Sequence, residues 1–186
     1  MGFYAPAEIV RDAREHDVEV RPVDVNASQW DNTLEESGNG RLALRLGFRQ
    51  ITGFSEAWAD DLIARRGSGY GSVDELARRA HLPKRALVIL ADADCFQSLS
   101  TDRRTVLWAV RRIPDDHALP LFAYRDAAEQ APEEIAPLPP MKLSEHVLAD
   151  YQMLRFWLRE HLMFFLRDLF PAQGVMRCRE NSDGPR

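Results

Sequence analysis

Residues 48–90 read FRQITGFSEAWADDLIARRGSGYGSVDELARRAHLPKRALVIL, and the succession of apolar helical faces and turn residues in this stretch decides the fold. Phe48 to Ile51 provides about one helical turn, and Thr52, Gly53 and Phe54 form a tight break. Ser55 is then placed to cap a helix in which Trp58 with Leu62 and Ala59 with Ile63 pair at four-residue spacing, ending at Arg65 and Arg66. Gly67, Gly69 and Gly71 loosen the chain. Ser72 with Glu75 predicts a capping box for a helix carrying Leu76 and Ala80. His81, Leu82 and Pro83 make a second turn before a helix running from Lys84 through Ala86, Leu87 and Leu90. The unit of helix, short turn and helix therefore occurs twice. Thr101 is expected to cap one more helix, with Val106, Leu107 and Val110 inward.

Before this stretch, Pro6 suits a first helical turn whose apolar face is Ile9, Val10 and Ala13, with a turn near His16 and Asp17. Val18, Val20, Val23 and Val25 nearly alternate, a short strand that Pro22 pushes to a sheet edge. Residues 26–40 read as a loop, and Leu42, Leu44 and Leu46 as a second short strand ending at Gly47. After it, Pro114, Pro120, Pro132, Pro137, Pro139 and Pro140 with interspersed carboxylates mark an extended connector. A long helix is expected from about Ser144, carrying Val147, Leu148, Tyr151, Leu154, Trp157 and Leu158, followed by the very apolar Leu162 to Leu166. That face needs a cover, from this chain or from another.

The 186 residues are 45% hydrophobic, enough to bury a core, and the net charge is −5. The charge is uneven: residues 41–112 hold 13 basic and 8 acidic side chains, leaving 11 basic and 21 acidic elsewhere. A basic middle between acidic flanks fits a phosphate-binding module, and a solvated arginine-rich surface would give the same count. No apolar run approaches the roughly 20 residues that span a bilayer, and the start lacks the pattern of a signal peptide, so the cytoplasm is the expected location and no membrane partner is expected.

Cys95 and Cys178 match no CxxC spacing and read as structural thiols, and the histidines at 16, 81, 117, 146 and 161 show no ligand spacing. Asp92 and Asp94 resemble the carboxylate pair of a two-metal site, but at a helix end their side chains diverge by about 200°, so no metal is expected there. Gly67, Gly69 and Gly71 follow no strand and lead to no GKS or GKT, so a nucleotide loop is not expected.

Four stretches carry a resemblance in the same order along the chain: residues 1–35, LALRLGFRQITGF at 42–54, SVDELARRAHLPKRALVILADADCFQSLSTDRRTVLWAVR at 72–111, and LSEHVLADYQMLRFWLREH at 143–161. They resemble the error-prone branch of the DnaE-type polymerases, relatives of the bacterial DNA polymerase III alpha subunit. The resemblance implies the end of a fingers region at 1–40, a helix-hairpin-helix DNA-binding region at 41–112, a Pro-rich acidic linker at 113–142, and a long helix with a tail at 143–186 leading toward an OB-fold. The expected fold is thus mainly α with a small α/β N-terminal element, a tandem helix-hairpin-helix module, an extended linker and a long helix.

The same resemblance implies a piece without the palm and so without catalytic residues, from a polymerase that copies past damage in DNA repair and replication. No cofactor is expected in this chain, magnesium belonging to the intact polymerase. A turn that opens a helix aims unpaired backbone N–H groups outward, where phosphate oxygens accept them. The family pattern at the first turn is hydrophobic, Gly, hydrophobic, often Gly; here it reads Ile51, Thr52, Gly53, Phe54, Ser55. Arg49, Thr52, Gly53, Phe54, Ser55, Lys84 and Arg85 are the expected contacts to the DNA backbone, made without reading bases. The expected partners are DNA and the remaining polymerase domains or accessory repair proteins. The family usually has Pro after His161, where Leu162 stands, so the helix is expected to continue. The alternative is a protein-interaction scaffold whose turns only pack the module and whose apolar C-terminal helix docks to polymerase or accessory subunits.

Overall fold

The computed structural model describes residues 4–38, 40–113, 139–159, 161–167 and 170. The expected linker falls mostly outside the described residues, as do His117, Cys178 and the expected tail beyond 170. The described helices are α1 Pro6–Glu15, α2 Glu56–Arg65, α3 Val73–Ala80, α4 Lys84–Asp92, α5 Arg103–Arg112, α6 Leu143–Leu154 and α7 Leu162–Leu166. The strands are β1 Val20–Arg21, β2 Thr33–Ser37 and β3 Arg41–Arg45. The chain is mainly helical with a small α/β element at its N-terminal end, as the sequence leads one to expect.

Pro6 occupies the first turn of α1, and Glu8 reaches back to accept from the Ala5 N–H at 3.2 Å. Val10 is buried, but Ile9 is 56% exposed, because α1 lies on the body along a narrow edge and not along the whole expected face. The strands lie in the order β1-β3-β2, β3 parallel to β1 and antiparallel to β2. The strand expected to carry Val18, Val20, Val23 and Val25 is only Val20–Arg21; it lies at the sheet edge and stops at Pro22, and Val23 and Val25 are buried beyond it.

β2 lies in the segment read as a loop. Its sequence TLEES offers one large apolar residue, Leu34, and that side chain is 64% exposed, so no buried face announces the strand. Its partners are backbone and ions. Glu35 accepts from Arg45 at 2.9 and 3.0 Å and from Arg21 at 2.8 Å, tying all three strands together. The boundary expected after residue 40 therefore falls between two strands that pair.

Three helix ends differ in detail from the sequence reading. Ser72 caps α3 by accepting from the Glu75 N–H at 3.1 Å, but the Glu75 carboxylate accepts from Gly71, at 2.8 Å, and not from Ser72. Asp102, not Thr101, caps α5, accepting from Arg104 at 3.0 Å, while Thr101 turns back to the Leu99 carbonyl. The C-terminal helix stops at Leu154 instead of running through Trp157 and Leu158. Arg155 takes a left-handed conformation with φ 66°, and Phe156 drops into the core, 4% exposed. The chain starts again as α7, with His161 accepting from the Met163 N–H at 3.0 Å. Leu162 thus opens a helix and does not continue one.

One core joins these parts, running from Val10 through Val25, Phe48, Leu62, Leu76, Leu90, Phe96 and Val110 to Leu154 and Phe156. Within it lie Arg103, Asp94 and Asp150, with the half-buried Arg159 closing over them. Arg103, 1% exposed as a residue, pairs with Asp150 of α6 and lies 3.6 Å from Asp94; Arg159 binds both Asp150, at 3.0 Å, and Asp94. Arg103 also donates to the His146 carbonyl at 3.1 Å. Burial works against the charge on Arg159, but its bonds to Asp94 and Asp150 outweigh that and raise its pKa.

Removing one member leaves the buried network with an unbalanced charge. Asp150→Asn and Arg103→Leu should each cost about 3–5 kcal/mol, measured by denaturant unfolding. His146 adds a pH dependence: burial, then Arg159 and Arg103, hold its pKa below the usual 6.5. The unfolded chain therefore takes up this proton first, and the contribution is intact above pH 6.5 and lost as pH falls below it. Thermal melts between pH 7.5 and 5.5 should show this acid-side loss, and His146→Asn should flatten it.

Candidate nucleic-acid interface

The first turn is fixed from both sides. Gly47 leads out of β3 against the backbone of Trp30 and Asp31 so closely that a Cβ would lie 2.3 Å from the Trp30 carbonyl oxygen. Three N–H groups anchor this contact: Gly47 to the Asn32 side chain at 2.8 Å, Phe48 to Gln29 O at 2.9 Å and Arg49 to Trp30 O at 3.0 Å. Phe48 then packs on Phe54, and Phe54 on Trp58, both at 5.6 Å between ring centres. This cluster closes the turn from beneath.

On top of the cluster, Thr52 and Gly53 are exposed, and Gly53 adopts φ +81°. The Thr52 N–H is taken by the Met153 carbonyl at the end of α6, at 2.8 Å. Ser55 caps α2, accepting from Trp58 N at 3.4 Å. No acceptor among the described residues meets the N–H groups of Gly53, Ser55, Glu56 or Ala57. Together they form an outward-facing donor set at the start of a helix of 10 residues.

The side chains of the expected contacts divide into distinct roles. Phe54 is buried, so only its backbone can face a ligand. Arg49 is exposed but shares its charge with Asp31 at 3.0 Å. Lys84 and Arg85 open α4, with Arg85 exposed. The Ile89 side chain lies 3.8 Å from the Cβ position of Gly53, and Arg85 is one turn earlier on the same stripe of α4. This contact brings the middle of α4 against the first turn. Glu56, exposed in the first turn of α2, is the carboxylate on this face.

Other arginines of the basic middle are structural. Arg79 donates to the Arg65 and Arg66 carbonyls at 2.8 and 3.0 Å and to Gly69 O at 3.0 Å, closing the end of α2. Arg65 in turn donates to the last carbonyl of α3, Ala80, at 3.2 Å. The two helices cap one another. Arg66 bonds the Ser28 carbonyl, and burial lowers its pKa. Sequence reading missed these roles, since a clamp on a carbonyl leaves no spacing pattern.

The glycine loop is also committed internally. Gly69 N–H goes to Arg66 O at 2.9 Å, Tyr70 N–H to the Asn26 side chain at 2.7 Å and Gly71 N–H to Glu75 at 2.8 Å. These donors are not offered to a phosphate. Among the described residues no group of three or more His, Cys, Asp or Glu is arranged to hold a metal ion, and Asp94 faces Arg103 and Arg159. Cys95 is buried, which pushes its thiol pKa well up.

The model of the helix-hairpin-helix motif matches residues 17–106, the part of the chain that holds both turns. Over its whole length the chain is similar to error-prone DNA polymerases. It is 55% identical to that of Brucella abortus biovar 1 (strain 9-941) over 189 residues, covering 100% of this chain and 18% of the relative. The enzyme of Rhodopseudomonas palustris (strain BisB5) is 52% identical, covering 98% of this chain and 18% of the relative. That of Bradyrhizobium sp. (strain ORS 278) is 41% identical, covering 98% and 22%. The chain therefore spans about a fifth of the length of the curated relatives it matches, and the resemblance read from the sequence holds.

Two glycine substitutions separate backbone conformation from close approach. Gly53→Ala meets no clash but must keep a left-handed φ, and should cost about 1 kcal/mol. Gly47→Ala must displace the Trp30–Asp31 backbone and should cost more, about 1–3 kcal/mol. Urea unfolding of the two variants measures both.

Proposed function

We propose that this chain grips the DNA backbone, without reading bases, as a helix-hairpin-helix part of an error-prone DNA polymerase. The observation that carries the reading is the donor set of Gly53, Ser55, Glu56 and Ala57 at the exposed start of α2, with Ile89 of α4, one turn after the exposed Arg85, packed against Gly53. A phosphate oxygen accepts from such N–H groups, and the helix dipole favours its charge. Arg49, Lys84 and Arg85 supply attraction at longer range, and Thr52, Gly53, Phe54 and Ser55 supply the shape of the turn. Since no base edge is needed, the grip suits a polymerase that must stay on damaged template.

In this reading the polymerase works in the cytoplasm, in repair and translesion synthesis. Nucleotidyl transfer, with its magnesium, is carried by other parts of the enzyme, and this chain holds the duplex for them. Those parts are its protein partners. Among the described residues no helix is long and apolar enough to cross a membrane.

Fluorescence anisotropy with labelled duplex and primer-template DNA tests the grip. Affinity should be independent of sequence and should fall with salt with a log–log slope of about −2 to −3, one unit or slightly less for each phosphate neutralised. Arg49→Ala, Lys84→Ala and Arg85→Ala combined should weaken binding by about tenfold or more and flatten the slope, with an unchanged circular dichroism spectrum. Absence of binding at low salt overturns the reading.

A further inference from the structure

Beside the first turn lies a second surface of different chemistry. Tyr151, in the last turn of α6, is 42% exposed and stacks on Trp157, with ring centres 5.8 Å apart and planes inclined at 25°. Trp157 meets His161 edge to face at 4.2 Å, and Phe164, on α7, is 52% exposed. Large rings held together at a surface and left in water are costly unless something covers them.

Charge and position indicate what that is. Of the three arginines in residues 151–167, Arg159 is taken by Asp94 and Asp150, while Arg155, directly after α6, and Arg167, after α7, are exposed. A surface of aromatic faces rimmed by cations matches the bases and phosphates of an unpaired strand. The hydrogen bond from Thr52 N–H to Met153 O places the end of α6 directly against the hairpin turn, with Met153 between Tyr151 and Arg155 in sequence. A strand leaving a duplex held at that turn has the rings within reach.

We propose that Tyr151 and Trp157, with Phe164 beside them and Arg155 at the rim, form a base-stacking platform for single-stranded DNA where it departs from the duplex. The platform rests on the duplex grip proposed above, but the bases themselves supply its share of the binding. Stacking on exposed rings tolerates any base, so it adds affinity without adding sequence preference.

The test compares a blunt duplex, the same duplex with a short oligothymidine extension, and one with an abasic extension of equal length, each titrated by anisotropy against the full chain. The thymidine extension should tighten binding by about five- to thirtyfold, and the abasic one, which keeps the phosphates, by much less. Tyr151→Ala should remove most of that gain and leave blunt-duplex affinity unchanged, whereas Tyr151→Phe, which keeps the ring, should retain it. Equal affinities for thymidine and abasic extensions overturn the platform and assign this face to a protein partner. If the blunt duplex fails to bind, the hairpin reading falls by itself; free oligothymidine then decides the platform, which stands if Tyr151→Ala weakens its binding and falls if it does not.

Discussion

The arrangement depends on the balanced pairing of Arg103 and Arg159 with Asp94 and Asp150. The four groups come from the turn after α4, the start of α5, the second half of α6 and the segment after it. Two positive and two negative charges placed together, three of them buried and Arg159 at the edge of the core, cancel only in one geometry, so the network sets register as well as contributing energy. It fixes α6 against the hairpin region, and that placement in turn allows Met153 to take the Thr52 N–H. The Thr52 and Phe54 N–H groups are taken by Met153 and Ile51, and those of Gly53, Ser55, Glu56 and Ala57 meet no acceptor among the described residues.

Most helices were legible because their determinants are local. Pro6, Ser55 and Ser72 act as starts within a turn of where they stand, and the four-residue apolar spacing of α2 to α5 reports burial directly. β2 was not legible, since its strand character comes from a ladder to β3 and from ions paired across the sheet, with Leu34 left in water. The end of α6 was hidden for the opposite reason. Tyr151, Leu154 and Leu158 continue a helical stripe, but Phe156 reaches the core only if the chain turns at Arg155, and only the folded core reveals that demand.

The candidate site was legible in its backbone and less so in its charge. Ile51 to Ser55 announced a turn that opens a helix, and Thr52 and Gly53 at that turn are exposed while Ile51 and Phe54 are buried beneath it. The basic count of residues 41–112 overstates the field there. Arg65, Arg66, Arg79 and Arg103 are engaged with carbonyls or aspartates, and Arg49 shares its charge with Asp31. An arginine that closes a helix end and one that meets a phosphate are the same letter in a sequence. Only their neighbours tell them apart.

The bond between Thr52 and Met153 has a mechanical meaning. It puts the hairpin turn and the last turn of α6 on one load path, so a pull on the turn is transmitted to the helix end and from there to Asp150 and the buried network. A load applied at the turn is thereby borne by the centre of the molecule and not by the compliance of a loop. A part built in this way behaves as a rigid anchor.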